Sequence, residues 1–372
     1  MVFEMSSLAN VTLSPVDFGA LEGWVEEDHA AALDVFKRSC REIAGDGRQF
    51  SRPIRFGGTR EDWLQTCKSA AKATDPRRFF ESHFRTYVVI DRDRPEGLFT
   101  GYFEAEAEGS RSASSIYRVP LYRPPPELVA FDEDDTHTTG LHYGRKTNGR
   151  PLPFFTRKQI EEGALAGRNL EIVWLKDWAD AFFIQVQGSG RVRLPDGTYM
   201  RLSYGMKSGL PYTGIGAILV SRGLVPRNRI SMQAIRRWMK DNPAEARDLM
   251  WQNESYVFFR EMTTSDPLLG PIGAQGVPLT PSRSLAIDRK IWAYGTPVWL
   301  ETTRPIDSTR HEEFRRLLIS QDTGSAIIGH ARGDVFWGMG IEASETAGHM
   351  KSPGRMIVLL PKAVATRVNA ER

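Results

Sequence analysis

The chain has 372 residues, of which 41% are hydrophobic and 26% are charged, the proportions of an ordinary globular protein of two or three domains. Its 49 basic and 46 acidic residues give a net charge of +3, a surplus too small to indicate a nucleic-acid-binding surface. No run of 18 apolar residues occurs, so no membrane-spanning helix is predicted.

The first hundred residues predict helices followed by a strand. Apolar side chains at helical spacing predict a helix over 30–44, and a capping threonine starts a second helix over 60–72. The pair Asp75-Pro76 is a typical start of a third helix. The segment 86–90, Thr-Tyr-Val-Val-Ile, is rich in residues that favour strands.

The middle of the chain is rich in proline and turns. The acidic stretch 132–139 predicts an exposed loop. Alternating side chains over 181–187 predict a half-buried strand, and 191–202 predicts a hairpin with its turn at Pro195-Asp-Gly197. Helices are predicted over about 156–167, 231–240 and 242–252.

From Gly270 onward, short β segments separated by glycine predict a small barrel. The predicted strands of this region are 284–287, 297–300, 314–321, 333–337 and 354–360.

The two cysteines, Cys40 and Cys67, lie in the first two predicted helices. They lack the close spacing of a zinc site or a redox pair. Two interpretations stay open: separate buried thiols, or a disulfide that joins the helices and requires an oxidising compartment.

Standard catalytic motifs are absent from the sequence. There is no phosphate-binding loop and no complete dinucleotide fingerprint, and the sequence around Ser189 does not have the Gly-x-Ser-x-Gly pattern of a nucleophile elbow. The seven histidines are scattered, so neither a metal site nor a cofactor is predicted. Three aspartates beside glycines, Asp288, Asp322 and Asp334, are the remaining candidates, although a turn role for each stays open.

The three aspartates and their neighbours resemble the three-aspartate domain of the membrane-bound lytic murein transglycosylase A family. The motifs that carry the resemblance are Asp288 with Tyr294-Gly-Thr-Pro-Val298, Gln321-Asp-Thr-Gly-Ser-Ala-Ile327 with Gly329, and Gly333-Asp334. Further matching segments, in the same order as in the family, are 100–105, 117–122, 183–191, 231–235, 253–259 and 270–274. The match therefore runs from about residue 95 to Pro361.

The resemblance implies a mainly β, α+β fold: a double-psi β-barrel with a smaller inserted β domain and N-terminal helices. The implied barrel combines 86–105 with 266–372, the insert covers 106–265, and the helical segment 1–85 packs on the barrel. A groove between the two domains would take the glycan strand.

The resemblance also implies a lytic transglycosylase, with Asp334 as acid and base. To donate a proton near neutral pH, Asp334 needs a raised pKa, which burial beside Phe336 and Trp337 or a nearby carboxylate would give. Asp322 would position Asp334 or share its charge, and Asp288 would be structural. Candidate substrate contacts, each equally open to a structural role, are Thr100, Tyr102, Glu104, Gln187, Ser189 and Tyr256.

Three alternatives remain beside this interpretation. Asp322 and Asp334 could act as the carboxyl pair of a true glycoside hydrolase, or the chain could be a non-catalytic cell-wall-binding module. The implied partner is the peptidoglycan glycan strand, which predicts a periplasmic protein, soluble or peripheral to the outer membrane, in which the Cys40–Cys67 bridge is favoured. Since residues 1–17 show no secretory signal, a cytoplasmic protein is the third alternative.

Overall fold

The computed structural model describes residues 11–92, 95–262, 270–307 and 309–370. Within these residues the fold is a mixture of helices and strands, in agreement with the predicted α+β class. None of the described helices combines the length and the apolar composition that crossing a lipid bilayer requires.

Sixteen strands and eleven α-helices occur in the described residues. The strands are β1 (Val11–Val16), β2 (Phe84–Asp91), β3 (Gly97–Ser110), β4 (Val119–Tyr122), β5 (Val129–Ala130), β6 (Tyr143–Thr147), β7 (Arg150–Leu152), β8 (Glu171–Leu175), β9 (Gly190–Arg193), β10 (Tyr199–Lys207), β11 (Val257–Met262), β12 (Ser284–Ile287), β13 (Pro297–Pro305), β14 (His311–Asp322), β15 (Arg332–Met339) and β16 (Lys351–Pro361). The helices are α1 (His29–Gly45), α2 (Arg60–Lys72), α3 (Pro76–His83), α4 (Glu133–Thr139), α5 (Arg157–Gln159), α6 (Trp178–Gln187), α7 (Ile215–Ser221), α8 (Met232–Asp241), α9 (Pro243–Trp251), α10 (Gly340–His349) and α11 (Lys362–Ala370).

The chain divides into two compact units. The first unit combines Met1–Phe103 with Leu268–Arg372, and the second unit is Glu104–Pro267. Strand β3 begins in the first unit and ends in the second.

The sheet of the first unit follows the order β1-β2-β16-β13-β14-β12-β15-β3. Most neighbours are antiparallel, but β12 and β14 are parallel. Strand β3 also pairs with β16, so the pairings from β16 through β13, β14, β12 and β15 to β3 return to their starting strand. This ring of six strands is compatible with a barrel, and the double-psi crossing of its strands stays a prediction.

Helices α1, α2 and α3 begin close to where the sequence predicts them. The Asp28 side chain accepts a hydrogen bond from the Ala31 amide at the start of α1, and Asp75 accepts one from Arg78 at the start of α3. The apolar side of α1, which includes Phe36, is buried. A disulfide joins Cys40 of α1 to Cys67 of α2, with 5.2 Å between their Cα atoms.

The second unit has one sheet region and a helical cluster. Strands β9, β10 and β11 continue from β3, and β8 pairs with both β3 and β4. The predicted hairpin is confirmed, since β9 pairs antiparallel with β10. Phe183 of α6, Leu219 of α7, Met239 of α8 and Leu249 of α9 belong to one buried apolar cluster.

The prediction of a strand over 181–187 is wrong, because these residues lie in α6. The Asp177 side chain caps the helix by accepting from the Asp180 amide at 2.8 Å, and Gly188 ends it with φ +77°. Residues 181–185 are all buried. A segment buried on every side shows no polar periodicity, so its pattern does not separate a helix from a strand.

The prediction of an exposed loop over 132–139 is also wrong, because Glu133–Thr139 forms α4. Asp132 accepts a hydrogen bond from the Asp135 amide and caps the helix, and the acidic first turn is stabilised by the amino-terminal dipole. Asp135 is buried and pairs with Lys146 at 2.5 Å. The acidic run is therefore a helix start rather than a loop.

Candidate active site

Strand β12 brings two of the three predicted aspartates together in the first unit. Ala286 of β12 is the register partner of Asp322 on β14 and also of Asp334 on β15. Since adjacent strands lie about 4.8 Å apart, the two aspartate backbones flank the same residue at roughly 10 Å from each other. Side chains of this length can therefore serve one common ligand.

The Asp334 carboxyl is held by a neutral hydroxyl. Thr100 of β3 donates a hydrogen bond to Asp334 Oδ1 at 2.5 Å, and Arg332 Nη2 donates to the Thr100 oxygen at 2.8 Å. Burial raises the pKa of Asp334, although the Arg332 charge and the Thr100 hydrogen bond each lower it in part. The residue as a whole is only partly buried.

The Asp322 carboxyl accepts three hydrogen bonds. The backbone amides of Ala274 and Thr323 donate to Oδ1 at 2.9 Å each, and the Tyr102 hydroxyl donates to Oδ2 at 2.9 Å. Burial raises the pKa of Asp322 to about 6, and the negative charge of Asp334 contributes to the same rise against these donors. The carboxyl is thus firmly positioned and titrates close to neutral pH.

Tyr102 links Asp322 to the buried ring of Phe336. Its ring lies 5.2 Å from that of Phe336, measured between centroids. Burial and the charge of Asp322 hold the pKa of the Tyr102 hydroxyl well above its usual value, so the hydroxyl stays a hydrogen-bond donor.

A buried network fixes the backbone next to Asp322. Gln321 is fully buried; its amide nitrogen donates to Ser39 Oγ at 2.9 Å, and its carbonyl oxygen accepts from Ser284 Oγ at 2.6 Å. Ser39 in turn donates to Gln275 at 2.8 Å, whose backbone amide donates to the Gln321 backbone carbonyl at 3.1 Å. Helix α1 therefore takes part in positioning Asp322.

Asp288 is engaged with the backbone. Its carboxyl accepts hydrogen bonds from the amides of Lys290 and Gly329, both at 3.0 Å. These contacts tie the end of β12 to the loop that leads into β15, so the geometry favours a structural role.

The structure places Thr100 and Tyr102 at the aspartates, whereas the other four candidate substrate contacts belong to the second unit. Gln187 and Ser189 are partly exposed at the end of α6. Glu104 has no exposed surface and pairs with Arg201 at 2.9 Å. Burial raises the pKa of Glu104 to about 7 even though Arg201 lowers it.

Tyr256 is a packing residue rather than a substrate contact. Its side chain is 1% exposed, 5.1 Å from the Phe258 ring and 5.3 Å from the Arg157 guanidinium. A ring enclosed in this way has no face free to meet a glycan. The prediction of substrate contact is therefore corrected for Tyr256, and the full burial of Glu104 argues against it there too.

Sequence reasoning missed two arginines, Arg332 beside Thr100 and Arg201 beside Glu104. Arg332 directly precedes Gly333-Asp334, so its place beside the catalytic candidate could have been proposed from the sequence. Arg201 lies between Met200 and Leu202, and all three are buried, so no alternation marks its contact with Glu104. In the part of the chain that the structure describes, no cluster of three or more His, Cys, Asp or Glu side chains could hold a metal ion.

Comparison with known proteins gives two family matches. Residues 98–260 match the MltA specific insert domain, and residues 283–360 match the 3D domain. Membrane-bound lytic murein transglycosylase A of Vibrio cholerae is 35% identical over 266 residues, which are 70% of this chain and 64% of that protein. The match thus spans less than two thirds of the length of this curated relative.

Solved structures match over almost the whole chain. The crystal structure of membrane-bound lytic murein transglycosylase from Agrobacterium tumefaciens is 34% identical, covers 96% of this chain and 99% of its own, and has a TM-score of 0.84. The structure of Escherichia coli MltA with bound chitohexaose is 25% identical, covers 94% and 91% of the two chains, and has a TM-score of 0.67. As the sequence motifs predicted, the chain belongs to the membrane-bound lytic murein transglycosylase A family.

Proposed function

We propose that the protein is a lytic transglycosylase that cleaves the β-1,4 bond between N-acetylmuramic acid and N-acetylglucosamine in peptidoglycan. The observation that carries the proposal is Asp334, a carboxyl with a raised pKa that is held by Thr100 and flanks the same strand residue as Asp322. Membership of the family and the names of its members support the same activity.

The proposed reaction needs one carboxyl group in two roles. Protonated Asp334 donates its proton to O4 of the leaving sugar as the bond between C1 and O4 breaks. The C6 hydroxyl of the same muramic acid then attacks C1, and Asp334 accepts its proton. The product is a 1,6-anhydromuramoyl end, no water is consumed, and Asp334 returns to its protonated form.

Neighbouring groups would make this proton transfer possible. The raised pKa keeps a larger share of Asp334 protonated near neutral pH. Asp322, negatively charged above its pKa of about 6, would stabilise the positive charge that develops at C1. Attack by a hydroxyl of the same sugar gains the advantage of proximity, so the enzyme has no water molecule to hold.

A glycoside hydrolase that uses Asp322 as its base is the alternative. The three hydrogen bonds that the Asp322 oxygens accept make this alternative less favourable, because they occupy lone pairs that a base or a nucleophile would use. Digestion of purified sacculi in water labelled with oxygen-18 separates the two chemistries. We expect unlabelled muropeptides one water lighter than hydrolysed ends, and a labelled reducing end would establish hydrolysis.

A non-catalytic binding module is tested by the same preparation. We expect the purified protein to clear a turbid suspension of peptidoglycan, and failure to clear it with retained binding to sacculi would favour the module.

We further propose that residues 86–105 and 266–372 carry catalysis, with 106–265 as the inserted domain and 1–85 as a helical segment on the barrel. The family matches over 98–260 and 283–360 and the compact unit Glu104–Pro267 support these boundaries. Limited proteolysis that releases a stable fragment ending far from residues 104 and 267 would contradict them.

The location of the substrate leads us to propose that the protein works in the periplasm, soluble or peripheral to the outer membrane. The curated relatives are named membrane-bound, which supports an association with the envelope. Fractionation of cells should recover the protein with the periplasm or with washed outer membranes, and recovery in the cytoplasm alone would contradict the location.

A further inference from the structure

The first unit contains an arginine-lined cavity apart from the aspartate pair. It has a volume of about 750 Å³ and is walled by the segment 47–61 and by α11. A volume of this size is typical of small-molecule sites. Its lining includes four arginines and a single glutamate, together with apolar residues such as Phe50, Ile54 and Val368.

Two of these arginines already have partners in the fold. Arg60 donates to the carbonyls of Ile43 and Ala44, both at 2.7 Å, at the carboxyl end of α1. Arg367 pairs with Asp62 at 2.9 Å. These two cations are therefore committed to holding helices together.

Arg52 has no anionic partner, although its side chain interacts with the neutral hydroxyl of Tyr294. Its Nε is buried without a hydrogen-bond acceptor, and within the described ranges the side chain forms no ion pair. Burial and the neighbouring charge of Arg289 lower the pKa of Arg52. The carboxyl of Asp288 acts on Arg52 from nearby, but its oxygens are occupied by two backbone amides. A half-buried guanidinium in this position lacks an anion.

The segment 47–61, which carries Arg52 and Arg55, is fixed by hydrogen bonds to the residues that follow Asp288. The backbone amides of Arg55 and Phe56 donate to the carbonyls of Lys290 and Ile291, both at 3.0 Å. Gln49 accepts from the Tyr294 amide at 2.5 Å and donates to the Tyr294 carbonyl at 3.0 Å. A site whose cations are fixed in advance loses less entropy on binding an anion.

The lining of the cavity also contacts the loop that precedes the catalytic carboxyl. Arg55 Nη1 lies 3.0 Å from His330 Nε2, in the loop that leads to Arg332 and Asp334. Tyr294 is buried beside Arg52. Burial raises the pKa of the Tyr294 hydroxyl to about 12, and the negative charge of Asp322 contributes to this rise. The lining of the cavity is therefore connected, through Arg55 and His330, to the loop that leads to Asp334.

We propose that this cavity binds the acidic stem peptide of peptidoglycan, with Arg52 receiving a peptide carboxylate. The inference rests on the proposed function, because that substrate carries a short peptide on its muramic acid residues. The planar guanidinium fork matches a carboxylate in two parallel hydrogen bonds, and the apolar wall suits alanine methyl groups and aliphatic stems. A neutral sugar chain would need no arginine that lacks an anionic partner.

Calorimetric titration of the full chain with a synthetic stem tetrapeptide (L-Ala, D-isoGlu, meso-diaminopimelate, D-Ala) tests the proposal. We expect binding that disappears when the carboxyls are amidated. Arg52→Gln should weaken binding at least about tenfold, the loss typical of a hydrogen bond to a charged group. Arg52→Lys, which keeps the charge but not the fork, should weaken it less. Arg222→Gln, the same change at an exposed arginine, should bind like the wild type.

Several outcomes would overturn the proposal. Equal affinity of the wild type and a folded Arg52→Gln variant would do so, with folding checked by the thermal unfolding midpoint. Equal binding of the amidated peptide would do so as well, and so would binding only to inorganic phosphate or to phosphatidylglycerol vesicles. Because the titration needs no turnover, peptide binding without an anhydro product would reject the proposed function and keep this site.

Discussion

Both units bury carboxyl groups with a raised pKa, but they neutralise them differently. In the second unit, Glu161 is nearly inaccessible and faces Arg157 at 3.3 Å, with Arg247 at 3.4 Å. In the first unit, the direct partner of Asp334 is the neutral hydroxyl of Thr100. Burial raises the pKa of both groups.

The contrast shows that a raised pKa alone does not identify a catalytic acid. A carboxyl paired with arginine and sealed from solvent cannot exchange a proton with a substrate, whatever its pKa. A carboxyl whose direct partner is a neutral hydroxyl has no bound cation to keep it ionised, so it can donate its proton. By this criterion Asp334 is suited to proton transfer, whereas Glu104 and Glu161 hold the second unit together.

Replacing Asp334 in the first unit should lower activity, whereas replacing Arg157 in the second unit should lower stability. Asp334→Asn keeps the shape of the side chain but removes the exchangeable proton, so we expect turnover of sacculi to fall by about 10²–10⁴-fold with the unfolding midpoint unchanged. Asp34→Asn, the same substitution at an exposed aspartate on α1, should retain full activity. If Asp334→Asn kept more than about a tenth of the turnover, the assignment of Asp334 would be wrong.

The opposite result is expected for Arg157 in the second unit. Its side chain is 1% exposed, pairs with Glu161 and donates to the carbonyls of Asn253 and Ser255 at 2.9 and 2.6 Å. Arg157→Met leaves Glu161 buried without this partner, so denaturant unfolding should show a loss of about 3–5 kcal/mol. Arg222→Met, at an exposed position, is the matched control. A loss no larger than that of the control would mean that Arg157 is not a structural anchor.

Within the first unit, the disulfide is expected to add to the stability that the buried ion pair of Arg283 with Glu27 supplies. Cys40 and Cys67 are 27 residues apart, and closing a loop of that length is worth roughly 3–4 kcal/mol in the chain-entropy model. The double variant Cys40→Ala/Cys67→Ala should lose about that much. Thiol counting on the denatured protein purified from the periplasm supplies the control: we expect no free thiol, and two would contradict the bridge.

Local signals in the sequence predicted most elements of the first unit. Capping residues and apolar spacing located α1 and α2, and β12 lies where the sequence predicts it. Elements β1, α10 and α11 of the first unit were not predicted, and the two wrong predictions fall in the second unit. Residues 181–185 of α6 are all buried, and α4 is a short acidic helix, so neither shows the helical periodicity that sequence reasoning depends on.

The site was predictable only in part, for a physical reason. The aspartates stand in local motifs, and these motifs led to the family and to Asp334 and Asp322. The contacts of Thr100 with Asp334 and of Ser39 with Gln321 join residues more than 200 positions apart. Only strand order and register bring such residues together, and a single sequence does not contain them.

In both units burial raises the pKa of carboxyl groups, and Asp322 shows how the stability of the first unit should respond to pH. The pKa of Asp322 rises from 3.8 to about 6 on burial, so the folded protein binds this proton more tightly than the unfolded chain does. Stability should therefore fall as pH rises between these two values. Asp322→Asn removes that contribution, and its unfolding free energy should vary less over the same interval. Parallel pH curves for the two proteins would show that burial does not raise the pKa of Asp322.

The smallest expected effect is that of a chelator, because both units neutralise their buried carboxyls with protein groups. Asp322 is held by Tyr102 and two backbone amides, Asp334 by Thr100, and Glu161 by arginines. The proposed reaction moves one proton through Asp334 and requires no Lewis acid. Turnover of sacculi after dialysis against EDTA should equal that of the untreated enzyme. A loss that zinc or magnesium restores would instead place a metal ion in the chemistry, as an activator of water or of the leaving oxygen, and Asp334 would then have to be reassigned from proton donor to metal ligand.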